Sequence, residues 1–67
     1  MQLIINGNPR SFDAATFTVA ALVQYLELTG KRLAIERNGE IVPRSQFDAT
    51  ALADGDKLEI VGAVGGG

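Results

Sequence analysis

One stretch of this sequence repeats with the period of an α-helix, while the segments around it alternate with the period of a strand. Within TFTVAALVQYLELTG (residues 16–30), Val19, Leu22, Val23 and Leu26 fall at i, i+3, i+4 and i+7. That spacing lines one side of a helix with apolar side chains. A lone amphipathic helix needs a second layer to bury its stripe, and the flanking segments can supply only a sheet. Thr18 is placed to cap the helix N-terminus. Gly30 is expected to end the helix as a left-handed C-cap, with Lys31 and Arg32 beside the negative end of its dipole.

The strands follow from alternation and turn chemistry. Residues 1–6 send Leu3 and Ile5 to one face and Gln2, Ile4 and Asn6 to the other. Asn6 to Pro9 reads as a turn, which predicts a returning strand around Arg10 to Asp13. Asn38-Gly39 predicts a type I′ hairpin, because both central positions of that turn need positive φ. Its first strand puts Leu33 and Ile35 on one face and Ala34 and Glu36 on the other, and Pro43 ends its second strand. Residues 44–52 lack a clear period and read as a loop or short helical turn, with Phe47 and Leu52 in the core. A turn at Asp54-Gly55-Asp56 leads into a last strand with Leu58 and Ile60 inward and Glu59 and Val61 outward. At least one of Phe12 and Phe17 is expected in the core, with Tyr25 half-buried on the helix edge.

The fold class is therefore α+β, a mixed sheet packed on one amphipathic helix. The domain is expected over residues 1–61, followed by a flexible, glycine-rich C-terminal tail over 62–67. A chain of 67 residues makes one small domain, burying only about 60% of its unfolded surface.

Composition excludes more than it assigns. There is no cysteine and no histidine, so a disulfide framework, a thiolate nucleophile and the commonest general base and metal ligand are all missing. A formal charge of −2 with six Lys+Arg provides no basic stripe for nucleic acid. Neither a membrane-length apolar run nor a signal-peptide pattern occurs, and the expectation is a soluble, cytoplasmic protein. Asp54 and Asp56 flank a glycine but lack the other ligands of a calcium loop, so they are read as turn residues with no metal.

The element order and the closing GGG resemble the ubiquitin-like β-grasp fold over the whole chain. Residues 1–6 (MQLIIN) look like the first strand of ubiquitin. The RNGEIVPRSQF hairpin, the DGDKLEIV strand and the terminal glycines together resemble the ThiS family, sulfur carriers of thiamine biosynthesis. The molybdopterin synthase small subunit, usually longer, is the related alternative. The resemblance implies a carrier, not an enzyme, binding no cofactor of its own. An E1-like adenylyltransferase would use ATP and Mg to activate the Gly67 carboxylate. A sulfur donor protein would convert the adenylate to a thiocarboxylate, and thiazole synthase would receive the sulfur. Gly67 would then carry the group covalently, with Gly65 and Gly66 giving access. Glycine suits that task because a residue without Cβ allows close backbone approach in a narrow site.

A carrier also needs a docking surface, expected on the sheet face away from the helix at Ile4 and Val61, with Ala34 and Glu36 beside them and Val64 further out. Glu36, Glu40, Glu59 and Asp48 are candidates for an acidic surface facing a basic partner, and the free carrier is expected to be monomeric. Lys31 and Lys57 read as solvated charges. Other classes remain open at this point: a plain β-grasp binding module, a small structural subunit, and a protein modifier that leaves its tail in isopeptide linkage. Altering Gly67 separates the binding module and the structural subunit, which tolerate the change, from a carrier, which does not; the modifier differs by the linkage its tail ends in.

Overall fold

The computed structural model describes residues 1–13 and 17–62. Strands β1 (Gln2–Ile5) and β2 (Asn8–Ser11) form a hairpin, and β3 (Phe17–Thr18) leads directly into helix α1 (Val19–Tyr25). A second hairpin pairs β4 (Leu33–Arg37) with β5 (Glu40–Ile41). A 3-10 turn over Arg44–Gln46, β6 (Ala51–Leu52) and β7 (Lys57–Gly62) complete the order. The main sheet runs β2-β1-β7-β4-β5, and β3 pairs with β6 in a small second sheet. β7 lies in the middle, parallel to β1 and antiparallel to β4.

The helical stripe packs as its spacing requires. Val19, Leu22 and Val23 are buried on α1, and Leu3, Ile5, Ile35 and Leu58 meet them from three adjacent strands. Phe12, Val42, Phe47 and Leu52 close the margins of this core. Each fully buried aliphatic side chain contributes about 1.5–3 kcal/mol. Thr18 caps the helix, its Oγ1 accepting from the Ala21 N–H at 3.1 Å. The next orphan donors are satisfied from the 44–52 segment: the Val19 N–H donates to the Thr50 carbonyl and the Ala20 N–H to that of Phe47, both at 3.0 Å.

Four details differ from the sequence expectations. β2 begins at Asn8 and ends at Ser11, because the turn is only Asn6-Gly7, with φ of 51° and 83°. Pro9 is thus a strand residue opposite Ile4, tolerated because β2 is an edge. The helix stops at Tyr25, a turn before Gly30. Its C-cap is a Schellman motif with Glu27 in the left-handed position at φ 59°. There the Leu28 N–H donates to the Val23 carbonyl at 2.9 Å and the Glu27 N–H to that of Gln24 at 3.0 Å. Gly30, at φ 85°, belongs to the next turn, in which the Lys31 N–H donates to the Leu28 carbonyl. β7 continues one residue past Val61, with Gly62 paired to Leu33.

Phe12 is the core aromatic, 5% exposed, while Phe17 is partly buried. Tyr25 is more open than expected, at 58% exposure, and stands edge-on to both phenylalanine rings with centroids 5.0 and 6.2 Å away. Among the described residues no buried side-chain nitrogen or oxygen lacks a hydrogen-bond partner, and no helix is long and apolar enough to cross a membrane.

Candidate functional site

The candidate site begins where β7 ends, so what fixes that strand fixes the position of Gly62, the last described residue. On one side β4 pairs with β7 as far as Leu33 and Gly62. On the other the β1 ladder reaches only Ile5 and Leu58, and Asn6 extends it with its side chain. The Ile60 N–H donates to Asn6 Oδ1 at 2.7 Å, and Asn6 Nδ2 donates to the Ile60 carbonyl at 3.1 Å. Its main-chain N–H also donates to the Leu58 carbonyl at 2.8 Å. An asparagine in the first left-handed position of the hairpin turn thus acts as one more strand residue. Both main-chain polar groups of Ile60 are thus held by Asn6, two residues before Gly62.

The far end of β7 is fixed by Asp56, only 7% exposed. Its Oδ2 accepts from Arg37 Nε and from the Ala53 N–H, both at 2.8 Å, and Oδ1 accepts from Asn38 Nδ2 at 3.0 Å. Burial pushes its carboxyl up, but the Ala53 N–H, the Arg37 and Asn38 side chains and the Arg37 charge more than offset it, leaving the pKa below the ordinary aspartate value. Asp54 receives the Gln2 N–H at 2.6 Å. Both aspartates therefore tie turns to strands. Among the described residues no three of His, Cys, Asp or Glu gather as a metal site.

Register fixes the arrangement of the sheet face away from α1. Ala34 lies opposite Val61, and Glu36 lies opposite both Glu59 and Ile41. Ile4 lies between Pro9 and Lys57. Val61 and Ile41 are 57% and 65% exposed. Ile4 and Val61 share this face, but Ile4 sits beside Lys57, four residues back along β7, which separates them by about 13 Å. Glu36 and Glu59 face each other between the two apolar points, a like-charge pairing that costs up to about 1 kcal/mol in a sheet. Glu40 lies instead opposite Arg37, and Asp48 follows the 3-10 turn. Of the expected acidic surface, only Glu36 and Glu59 are neighbours. Val64, Gly65, Gly66 and Gly67 lie outside the described residues.

Comparison with known proteins adds the family. The ThiS family profile matches residues 3–67. The chain is 35% identical over 65 residues to the sulfur carrier protein ThiS of Bacillus subtilis, covering 97% of this chain and 98% of that one. It is 51% identical over 67 residues to a thiazole synthase of Paramagnetospirillum magneticum, and spans only 20% of that relative's length. A crystal structure of the thiamine biosynthesis protein ThiS from Geobacter metallireducens superimposes with a TM-score of 0.87, at 38% identity and full coverage of both chains. With its mixed sheet packed on helix α1 and a family match that runs through the glycines, the chain belongs to the ThiS family.

Proposed function

We propose that this protein is a sulfur carrier of thiamine biosynthesis, in which the Gly67 carboxylate is the group that is activated and loaded. The observation that carries the reading is the family match over residues 3–67, which includes the whole glycine run as well as the folded domain. In the first step the carboxylate attacks the α-phosphorus of ATP on an E1-like adenylyltransferase, forming the Gly67 acyl-adenylate and releasing pyrophosphate. Mg and ATP belong to that partner. A carboxylate is anionic at neutral pH, its reference pKa being about 3.3–3.7.

In the second step the outer sulfur of a donor protein's persulfide attacks the acyl carbon, expelling AMP and leaving an acyl disulfide. A thiol then cleaves the sulfur–sulfur bond, giving the Gly67 thiocarboxylate and a disulfide. The thiocarboxylate, the stronger nucleophile, passes its sulfur to thiazole synthase. Relatives named thiazole synthase that contain a region similar to this entire chain support that assignment. The adenylyltransferase docks on the outer sheet face through Val61 and Ile4, with Val64 reaching into the partner as the tail extends. A standard interface of roughly 800 Å² per partner is wide enough to cover both ends of the face.

Mass spectrometry of the chain from thiamine-starved cells tests this reading. The peptide released by cleavage after Lys57, residues 58–67, contains no methionine, so oxidation of Met1 cannot imitate an oxygen-to-sulfur exchange. The peptide is expected to gain the mass of that exchange and to react with a thiol alkylator. An unmodified carboxylate while the pathway is active rules the carrier reading out.

A further inference from the structure

Two asparagines hold β7, one near each end. Asn6 and Asn38 each open an Asn-Gly hairpin turn, at φ 51° and 52°. Each main-chain N–H donates to a β7 carbonyl at 2.8 Å, Asn6 to Leu58 and Asn38 to Lys57. The side chains continue the pairing. Asn38 Oδ1 accepts from the Lys57 N–H and its Nδ2 donates to Asp56 Oδ1, both at 3.0 Å, which fixes the start of the strand. Asn6 holds Ile60 in the same manner towards the other end.

The two ends are not equivalent. At its start β7 lies beside β1, with Lys57 opposite Ile4, but that ladder has run out at Ile5 and Leu58. Ile60 lies opposite Ile35 of β4. An N–H and a carbonyl that both turn to Asn6 turn away from β4, as in a non-hydrogen-bonded pair of an antiparallel ladder. The turn itself needs only positive φ at position 6, which glycine or aspartate also meets. Of those residues only asparagine carries a separate donor and acceptor, so Asn6 answers to Ile60 as well as to the turn.

We propose that Asn6 is a positioning residue for the carrier reaction, holding the end of β7 so that Val61 and Gly62 meet the partner in one arrangement. This rests on the carrier reading, in which Val61 docks and Gly67, five residues past Gly62 in the sequence, is loaded. Without the Asn6 side chain, β7 beyond Leu58 is paired on its β4 side alone. Order that the free chain lacks must then be imposed as the partner binds. That weakens binding by the fraction of chains already ordered and leaves the chemical step alone.

Asn6→Gly and Asn38→Gly form a matched pair of variants. Glycine accepts both backbone conformations, and each change keeps the main-chain bond while removing the two from the side chain. Both are read in ATP–pyrophosphate exchange on the adenylyltransferase from the same cells, with Mg-ATP fixed and carrier concentration varied. Asn6→Gly is expected to raise the KM for the carrier by roughly three- to tenfold with kcat unchanged. Amide hydrogen exchange at Ile60 should quicken by about tenfold or more in that variant. Asn38→Gly is expected to lower the urea midpoint yet keep the parent KM. A parent-like KM for Asn6→Gly overturns the proposal, as does unchanged exchange at Ile60. An equal rise in KM for both variants also overturns it, since that is a general loss of stability. A parent chain that supports no pyrophosphate exchange brings down the carrier reading itself and leaves Asn6 no reaction to position. A parent that reacts while Asn6→Gly matches it removes Asn6 alone.

Discussion

Asp56 shows at the scale of one residue how a turn position becomes a structural centre. The DGD motif reveals the turn from sequence alone, since Gly55 adopts φ 87°. It does not reveal that Asp56 is buried against Arg37, 19 positions earlier, because that contact exists only once β7 has inserted beside β4. Asp56→Asn keeps the shape, removes the charge pairing with Arg37 and replaces one accepting oxygen by a donor. A loss of roughly 1–3 kcal/mol is expected in urea unfolding at pH 7. The pH dependence has a definite sign. The folded-state pKa is depressed, so the stabilisation is present above the unfolded-state value of about 3.9 and disappears as pH falls through the folded value. Unfolding curves for the parent should weaken below pH 4 or so, and the Asn variant should lose part of that acid limb. Equal acid sensitivity in the two proteins would remove Asp56 from the account.

The helix shows what an element's sequence does and does not disclose. Its stripe and its Thr18 cap are readable, because both depend on neighbours three or four residues away. Its end is not, since Gly30 offers the stronger left-handed signal and the chain turns at Glu27 instead. The reason is packing: closing the motif at Glu27 brings Leu28 back to the core beside Val23. The two-residue strands β3 and β6 are equally invisible in sequence, being made by a long-range pairing of Phe17 with Leu52. A left-handed L-residue costs about 1–2 kcal/mol, part of which glycine returns through greater unfolded-chain entropy. Glu27→Gly is therefore expected to stabilise by roughly 0.5–1 kcal/mol, raising Tm by about 2–8 °C. Gly30→Ala should do the reverse, by backbone strain alone, because an added Cβ there meets nothing within 4 Å. A calorimetric scan of both variants checks the pair, and a fall in Tm for Glu27→Gly would contradict the cap assignment.

For the whole molecule, alternation and turn chemistry make both hairpins, the helix and the outward side of Val61 legible, and the glycine run is where the proposed chemistry is assigned. The order of strands is not legible, because the parallel pairing of β1 with β7 joins the two ends of the domain. Its register, set where Gln2 meets Asp54 and Gly55, is also what offsets Ile4 from Val61. On the proposed function, stability and chemistry divide along the chain: among the described residues every member of the buried core lies between Leu3 and Leu58, whereas the proposed reacting carbon belongs to Gly67. One alanine added after Gly67 should accordingly leave unfolding free energy within about 0.5 kcal/mol of the parent. It would also move the terminal carboxylate by about 3.3–3.6 Å. An active site in which a misplacement of 1 Å costs on the order of 100-fold in rate has no use for a carboxylate displaced that far. Thiocarboxylate is expected to be undetectable in the extended chain and present in the parent from the same cells. Deleting Gly67 should have the same effect, again with stability unchanged. Equal sulfur loading in the extended chain would mean that the reactive group lies elsewhere, and a large fall in stability would mean that the terminus is part of the fold.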